Sequence, residues 1–375
     1  MKSKKNSLKE MIFSGNLIIT LVSILLGIII GAVVLKIAGY SPIEAYVVML
    51  KGIFGKPKYM GYTIIYATPL IMTGLSVAFA FKTGLFNIGA EGQFIIGALV
   101  ATLVGYFVKL PIGLHAIVVF IAAITAAGLW GGIAGYLKAK FGVHEVIATI
   151  MLNWIALYLS NYVIMLEGFK RPNSEASYKI WDTATIGILE KWRYTDPGRM
   201  WFKAHPVLQS IFKTPVNLGI ICAILLAVVV WFILNKTTLG YELRAVGSNK
   251  HAAEYGGINV NKSMIISMTI AGALAGAAGA LQVMGVSKQV AILAAMEGYG
   301  FDGIAVSLIG SNGAFGCVFA GILFGALKYG GPKIQSAMGA PSEVVSIVMG
   351  TIVFFIAMPK FIKMILTVGK RKEVK

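Results

Sequence analysis

Charge is scarce in this sequence, and acidic charge scarcer still: 13% of the 375 residues are charged, with 15 Asp and Glu against 33 Lys and Arg. A chain so poor in polar surface is not a soluble globular domain. Cysteine is nearly missing, and the two present, Cys222 and Cys317, fall within apolar runs, which excludes a disulfide framework. The four histidines (His115, His144, His205 and His251) have no ligand spacing, so no metal site is expected. No G-x-x-x-x-G-K-[ST] phosphate loop occurs, so the chain is not expected to bind and hydrolyse ATP itself. Neither a Ser/His/Asp nor a Cys/His constellation supports an enzyme: His144 and Glu145 have no nucleophile beside them. The spans also lack a dense relay of acids and bases, which weakens the case for a proton-driven carrier.

Apolar length is what the chain has instead. Hydrophobic residues make up 57% of it, the mean hydropathy is +0.81, and long apolar runs recur from one end to the other. They lie near 17–38, 62–81, 93–109, 112–136, 146–166, 216–234, 263–285, 297–311, 314–329 and 343–362. With a hydrocarbon core of about 30 Å to cross, these read as about ten transmembrane helices. Helices are the expected form because lipid leaves no partner for an unpaired backbone group, and the runs lack the alternation of barrel strands. The expectation is an all-α integral membrane protein, a single transmembrane domain over 1–375. Its basic ends (Lys2, Lys4, Lys5 and Lys9; Lys370, Arg371, Lys372 and Lys375) place both termini in the cytoplasm. No small-residue cleavage site follows the first run, so that span is expected to stay. The net charge of +18 sits between the spans, where it reads as a topology signal and as contact with anionic lipid, so no nucleic-acid partner is expected.

Two polar connections interrupt the pattern. Residues 167–215 carry Trp181, Trp192 and Trp201 among Arg and Lys, which suits either a small amphipathic cap at the outer membrane interface or a docking surface for an extracytoplasmic partner. Residues 235–262 hold the helix-forming pieces YELRAV and KHAAEY, divided by Gly247 and closed by Gly256 and Gly257. A short cytoplasmic helix–turn–helix is predicted there.

Polar groups also sit inside the apolar segments. FNIGAEGQFIIGA, residues 86–98, places Asn87, Glu91 and Gln93 among glycines, and residues 300–303 repeat its G-x-acid-G pattern around Asp302. The two copies open segments of opposite direction, which points to an inverted repeat of spans 2–5 and 7–10. Glycines let a helix unwind, and an unwound turn needs polar partners. Two readings of the polar groups are compatible: they cap a helix N-terminus, or they border a solute pathway. Asn153, Trp154, Ser307, Gln282 and Glu343 are the other notable groups within spans; each polar one alone is more often an interhelical hydrogen bond than a ligand.

Four ordered strings, GLFNIGAEGQFIIGA, HEVIATIMLNWIA, LGYELRAVGSNKHAAEYGGINV and GYGFDGIAVSLIG, resemble the permease subunits of ABC importers of the ribose and branched-chain amino-acid class. The sequence is most similar to nucleoside and simple-sugar permeases that work with basic-membrane-protein-type lipoproteins. That resemblance implies a bacterial plasma-membrane importer working by alternating access. Its partners would be an ATP-binding subunit with two nucleotide-binding domains, a second permease subunit and an extracytoplasmic solute-binding lipoprotein. ATP-Mg would be used by the partner ATPase, with no cofactor on this chain. It further implies that the cytoplasmic loop docks on the ATPase through Arg244, Gly247, Asn249, His251, Ala252, Ala253, Glu254 and Gly257. Stacking and amide hydrogen bonds suit a nucleobase, which makes Asn87, Glu91, Gln93, Asn153, Trp154, Asp302 and Ser307 the candidate pathway residues. A simple-sugar permease is the nearest alternative, and an ion-coupled carrier using Glu91 and Asp302 is a more distant one.

Overall fold

A computed structural model describes residues 15–358, so the basic ends that set the expected topology lie outside the described residues. The elements in chain order are α1 (Gly15–Ile37), α2 (Pro42–Phe54), α3 (Pro57–Lys82), α4 (Ala90–Phe107), α5 (Leu114–Phe141), α6 (Glu145–Ile164), α7 (Asp196–Ala204) and α8 (Pro206–Phe212). They continue with α9 (Gly219–Lys236), α10 (Thr238–Ser248), α11 (Lys250–Tyr255), α12 (Val260–Gln282), α13 (Tyr299–Ile309), α14 (Ala314–Met338) and α15 (Ser342–Ala357). Among the described residues there is no strand beyond three isolated bridges.

Seven described helices are long and apolar enough to cross a membrane: α3, α4, α5, α6, α9, α12 with the π-turn that continues it, and α14. An eighth crossing arises if the pair Leu25–Ile37 and Pro42–Phe54, bent by 118°, acts as one span. The shortfall from about ten has two sources. The run at 297–311 forms only the eleven-residue α13, about 16 Å long and half of what a crossing needs. The run at 343–362 yields a described helix of 16 residues, α15. One helix was not expected at all: Ser41 caps α2 by accepting from the Glu44 amide, and Pro42 follows at the first helical position.

The chain divides into two compact units, residues 1–55 with 327–375, and residues 56–326. In the first, α15 lies against α1 so closely that a Cβ at Gly27 would come within 2.9 Å of the Ile352 Cα. There the Tyr46 hydroxyl donates to the Ile28 carbonyl at 2.7 Å. In the second, α3 is buried along most of its length and α12 packs against α3, α4 and α5. Small residues make this packing possible: a Cβ on Gly276 would overlap the Ala127 side chain, and one on Gly279 would overlap the Phe94 carbonyl. Where lipid supplies no hydrophobic drive between helices, such close backbone approach is what holds them together.

Candidate translocation site and coupling surface

The chain leaves α3 at Lys82, turns through Gly84 at φ +71° and enters α4 at Ala90. Three buried amides organise this break. Asn87 donates to the Gln93 side-chain carbonyl at 2.8 Å and to Ser76 Oγ at 3.1 Å, while its own oxygen accepts from the Gly89 amide at 3.0 Å. Ser76 in turn donates to the Ala271 carbonyl on α12, at 2.6 Å. From α6, Asn153 donates to the Ile88 carbonyl at 3.0 Å and accepts from the Gly92 amide at 2.8 Å. The unwound turn thus finds in side chains the partners its backbone lost.

Glu91 is fully buried, and its carboxylate accepts from two backbone amides at the start of α13: Gly298 at 2.8 Å and Gly300 at 2.5 Å. The capping expected of this residue is therefore made to a different helix from its own. A negative charge at the amino end of α13 meets both the unsatisfied amides and the positive end of the helix dipole. The two G-x-acid-G motifs are in direct contact, since a Cβ on Gly300 would overlap the Glu91 backbone. Tyr299 rests on the Phe94 ring at 5.3 Å between centroids, and its carbonyl lies 2.9 Å from the Thr73 hydroxyl.

The remaining candidates are distributed differently. Asp302 is partly buried in the first turn of α13. Ser307 is buried and donates to the Asn312 side chain at 2.7 Å, closing the turn after that helix. Trp154, although it follows Asn153, lies on the other side of α6, 47% exposed and stacked with Tyr158 at 6.0 Å.

Beside the Glu91 cap is a cavity of about 190 Å³ walled by Phe94, Ser160, Gln282, Gln289, Leu293 and Glu297, among others, with no Lys, Arg or His lining it. The Gln289 side-chain carbonyl is buried there without a hydrogen-bond partner. Of these, sequence reasoning singled out only Gln282. Gln289 and Glu297 flank the apolar stretch VAILAAM, Glu297 opening the run at 297–311, and this bracketing by two polar groups is the signal the sequence offers. The segment is held in extended form: Asn161 donates to the Leu293 carbonyl and accepts from its amide, each at 2.9 Å. The polar insertion pairs with it as well, through Ser177 N–H to the Val290 carbonyl at 2.9 Å and Ile180 N–H to the Lys288 carbonyl at 2.9 Å.

On the loop between α9 and α12, α10 and α11 form the expected short helix–turn–helix. Thr237 and Asn249 cap them, accepting from the Gly240 and Ala252 amides at 3.1 Å each. Leu243, Val246 and Ala253 are buried and anchor the pair, while Arg244, Asn249, His251, Ala252 and Glu254 are exposed, as is Tyr255 at 97%. Gly257 turns the chain back at φ +83°. A Cβ on Gly247 would overlap the Lys82 carbonyl, so α10 rests on the same break that begins the Asn87–Glu91 motif.

Comparisons with known proteins identify the family of the chain. The family model described as branched-chain amino acid transport system / permease component matches residues 59–357. The guanosine ABC transporter permease protein NupP of Bacillus subtilis is 43% identical over 359 residues, covering 96% of this chain and 97% of that protein. The nucleoside ABC transporter permease protein NupB of Lactococcus lactis is 34% identical, covering 94% of each chain. The glucose ABC transporter permease protein TsgB13 of Haloferax volcanii is 31% identical over 91% of this chain and 87% of that one. No solved structure matches. By family and by relatives over nearly its whole length, the chain belongs to the permease components of the branched-chain amino acid transport type and is a multi-pass transport subunit of an ABC importer, without an ATPase domain of its own.

Proposed function

We propose that this permease carries nucleosides into the cell by alternating access, powered by a separate ATPase. The observation that carries the reading is the cavity beside the Glu91 cap. At about 190 Å³ it exceeds the roughly 150 Å³ that holds a benzene ring, so it suits a nucleobase with the sugar projecting outside. Phe94 offers a stacking face, and Gln282, Gln289, Ser160 and Glu297 offer hydrogen bonds to a base edge. The amino end of α13, which in other transporters attracts an anionic substrate, is already occupied by Glu91. Without a cationic group in the wall, the site favours a neutral cargo. Two relatives that cover this chain are named for guanosine and for nucleosides, which supports the same class.

In this reading Asn87, Gln93 and Asn153 hold the pathway's shape, Asp302 and Ser307 border it on α13, and Trp154 faces lipid or a second permease subunit. An ATPase with two nucleotide-binding domains docks on the exposed face of α10 and α11, using ATP-Mg, and a solute-binding lipoprotein delivers cargo from outside. Both termini are cytoplasmic, and spans 2–5 and 7–10 form inverted halves. Uptake of radiolabelled guanosine, adenosine, uridine, ribose and glucose by cells with and without the gene tests the assignment. Gene-dependent nucleoside uptake that survives an ionophore is expected. Uptake confined to the sugars would move the cargo to the class named for the Haloferax relative, and ionophore-sensitive uptake would favour ion coupling.

A further inference from the structure

The polar insertion contains a second pocket, of about 360 Å³, that transport does not explain. Four of its lining residues are cationic, Arg193, Arg199, Lys203 and Lys213, and none is acidic. Within the insertion Lys191 pairs with Asp182 at 3.1 Å, and Glu190 pairs with Lys288 beyond it. The four around the pocket make no ion pair among the described residues. Arg199 and Lys203 stand four apart on α7, a like-charge spacing that is unfavourable on a helix unless something neutralises it. Arg193 adds a sharper sign. Its Nη1 donates to the Phe212 carbonyl at 2.5 Å, yet its buried Nε has no hydrogen-bond partner. That leaves the Nε edge of the guanidinium, the edge that grips oxyanions in two parallel hydrogen bonds, turned to no protein acceptor.

The other half of the pocket is apolar. Tyr194, Phe202 and Phe212 line it, and beside it Trp192 and Trp201 meet edge to face at 5.8 Å with Met200 67% exposed. A cationic cradle next to exposed Trp and Met is the complement of an amphiphile, and Trp with Arg and Lys is the composition of a membrane-interface helix. We infer that this pocket binds the phosphate of an anionic phospholipid, with the headgroup among Arg193, Arg199, Lys203 and Lys213 and an acyl chain along Met200 and Trp201. The insertion is then a lipid-anchored cap, and because it pairs with residues 288–293 the lipid steadies the segment that leads to the Glu91 cap.

Native mass spectrometry of the full chain, purified in detergent and offered phosphatidylglycerol or phosphatidylcholine, tests the inference. Phosphatidylglycerol should be retained at least about 30-fold better, given the contribution of each basic side chain near an anionic headgroup. The Arg199→Gln/Lys203→Gln variant alters two exposed residues, so it should keep its fold while losing roughly 30-fold in retention. Lys36→Gln/Lys51→Gln, with the same charge change in the other unit, should lose nothing. Equal retention of the two lipids, or equal loss in both variants, would overturn the site. Displacement of the lipid by millimolar inorganic phosphate would assign the pocket to free phosphate instead. Failure to retain phosphatidylglycerol together with capture of a polyglutamate peptide would assign it to an acidic partner. None of these outcomes depends on which solute is transported.

Discussion

At the scale of single residues, Glu91 and Gln289 illustrate opposite uses of burial. Glu91 satisfies two amides that have no other acceptor among the described residues, so Glu91→Ala leaves both without one. At about 1–3 kcal/mol for each unsatisfied group, the loss is roughly 2–6 kcal/mol, enough to show as reduced membrane abundance and a lower melting temperature in detergent. Glu91→Gln keeps one acceptor oxygen and should fall between the two. Gln289 already carries the kind of defect that Glu91 prevents, an acceptor buried without a donor. Gln289→Leu should therefore raise the melting temperature by roughly a few degrees while cutting nucleoside uptake about tenfold, if a base N–H is the missing partner. A variant that is more stable and equally active would show that this amide does not meet the cargo. Glu91 was visible in the sequence as a carboxylate in an apolar setting, but its partners lie 207 and 209 residues away, and no local pattern could have named them.

Among elements, α10 rests on the break after Lys82, and under the proposed coupling this is where force from an ATPase would enter. Arg244 is exposed and its Nε donates only within its own helix, to the Gly240 carbonyl at 3.2 Å, so Arg244→Ala should leave the melting temperature unchanged and lower ATP-dependent uptake. Gly247→Ala differs, because the new methyl overlaps the Lys82 carbonyl and must push α10 off its seat. It should lower uptake and stability together, and a thermal melt beside the uptake assay separates the two effects. The sequence revealed α10 and α11 readily through their helix-forming pieces and glycine boundaries. It concealed α13, because a run of apolar residues at 297–311 reads the same whether the helix starts outside the bilayer or halfway through it. Only the position of the Glu91 cap distinguishes them. The helix α2 was hidden for another reason: a 13-residue apolar helix is too short to register as a span, and its start signal is the modest pair Ser41 and Pro42.

For the whole molecule, the scarcity of charge inside the spans and the lack of a phosphate loop place the energy source on another chain. Under the proposed coupling, the path from an ATPase runs through two close contacts: α10 on the Lys82–Gly84 turn, and Glu91, just after that turn, on the amino end of α13. In that reading a displacement of α10 and α11 reaches the cavity wall through these two contacts. It follows that the chain alone in liposomes, supplied with ATP inside or outside, should accumulate no nucleoside. Adding the ATPase subunit, the second permease and the binding lipoprotein should restore accumulation, and a protonophore should leave it intact. Guanosine 5′-monophosphate should fail as a competitor where guanosine succeeds, because the cavity wall offers Glu297 and amides but no cation to a phosphate. Accumulation by the lone chain that collapses with the protonophore would place the energy in Glu91 and Asp302 instead, and the cap on α13 would then have to open in each cycle.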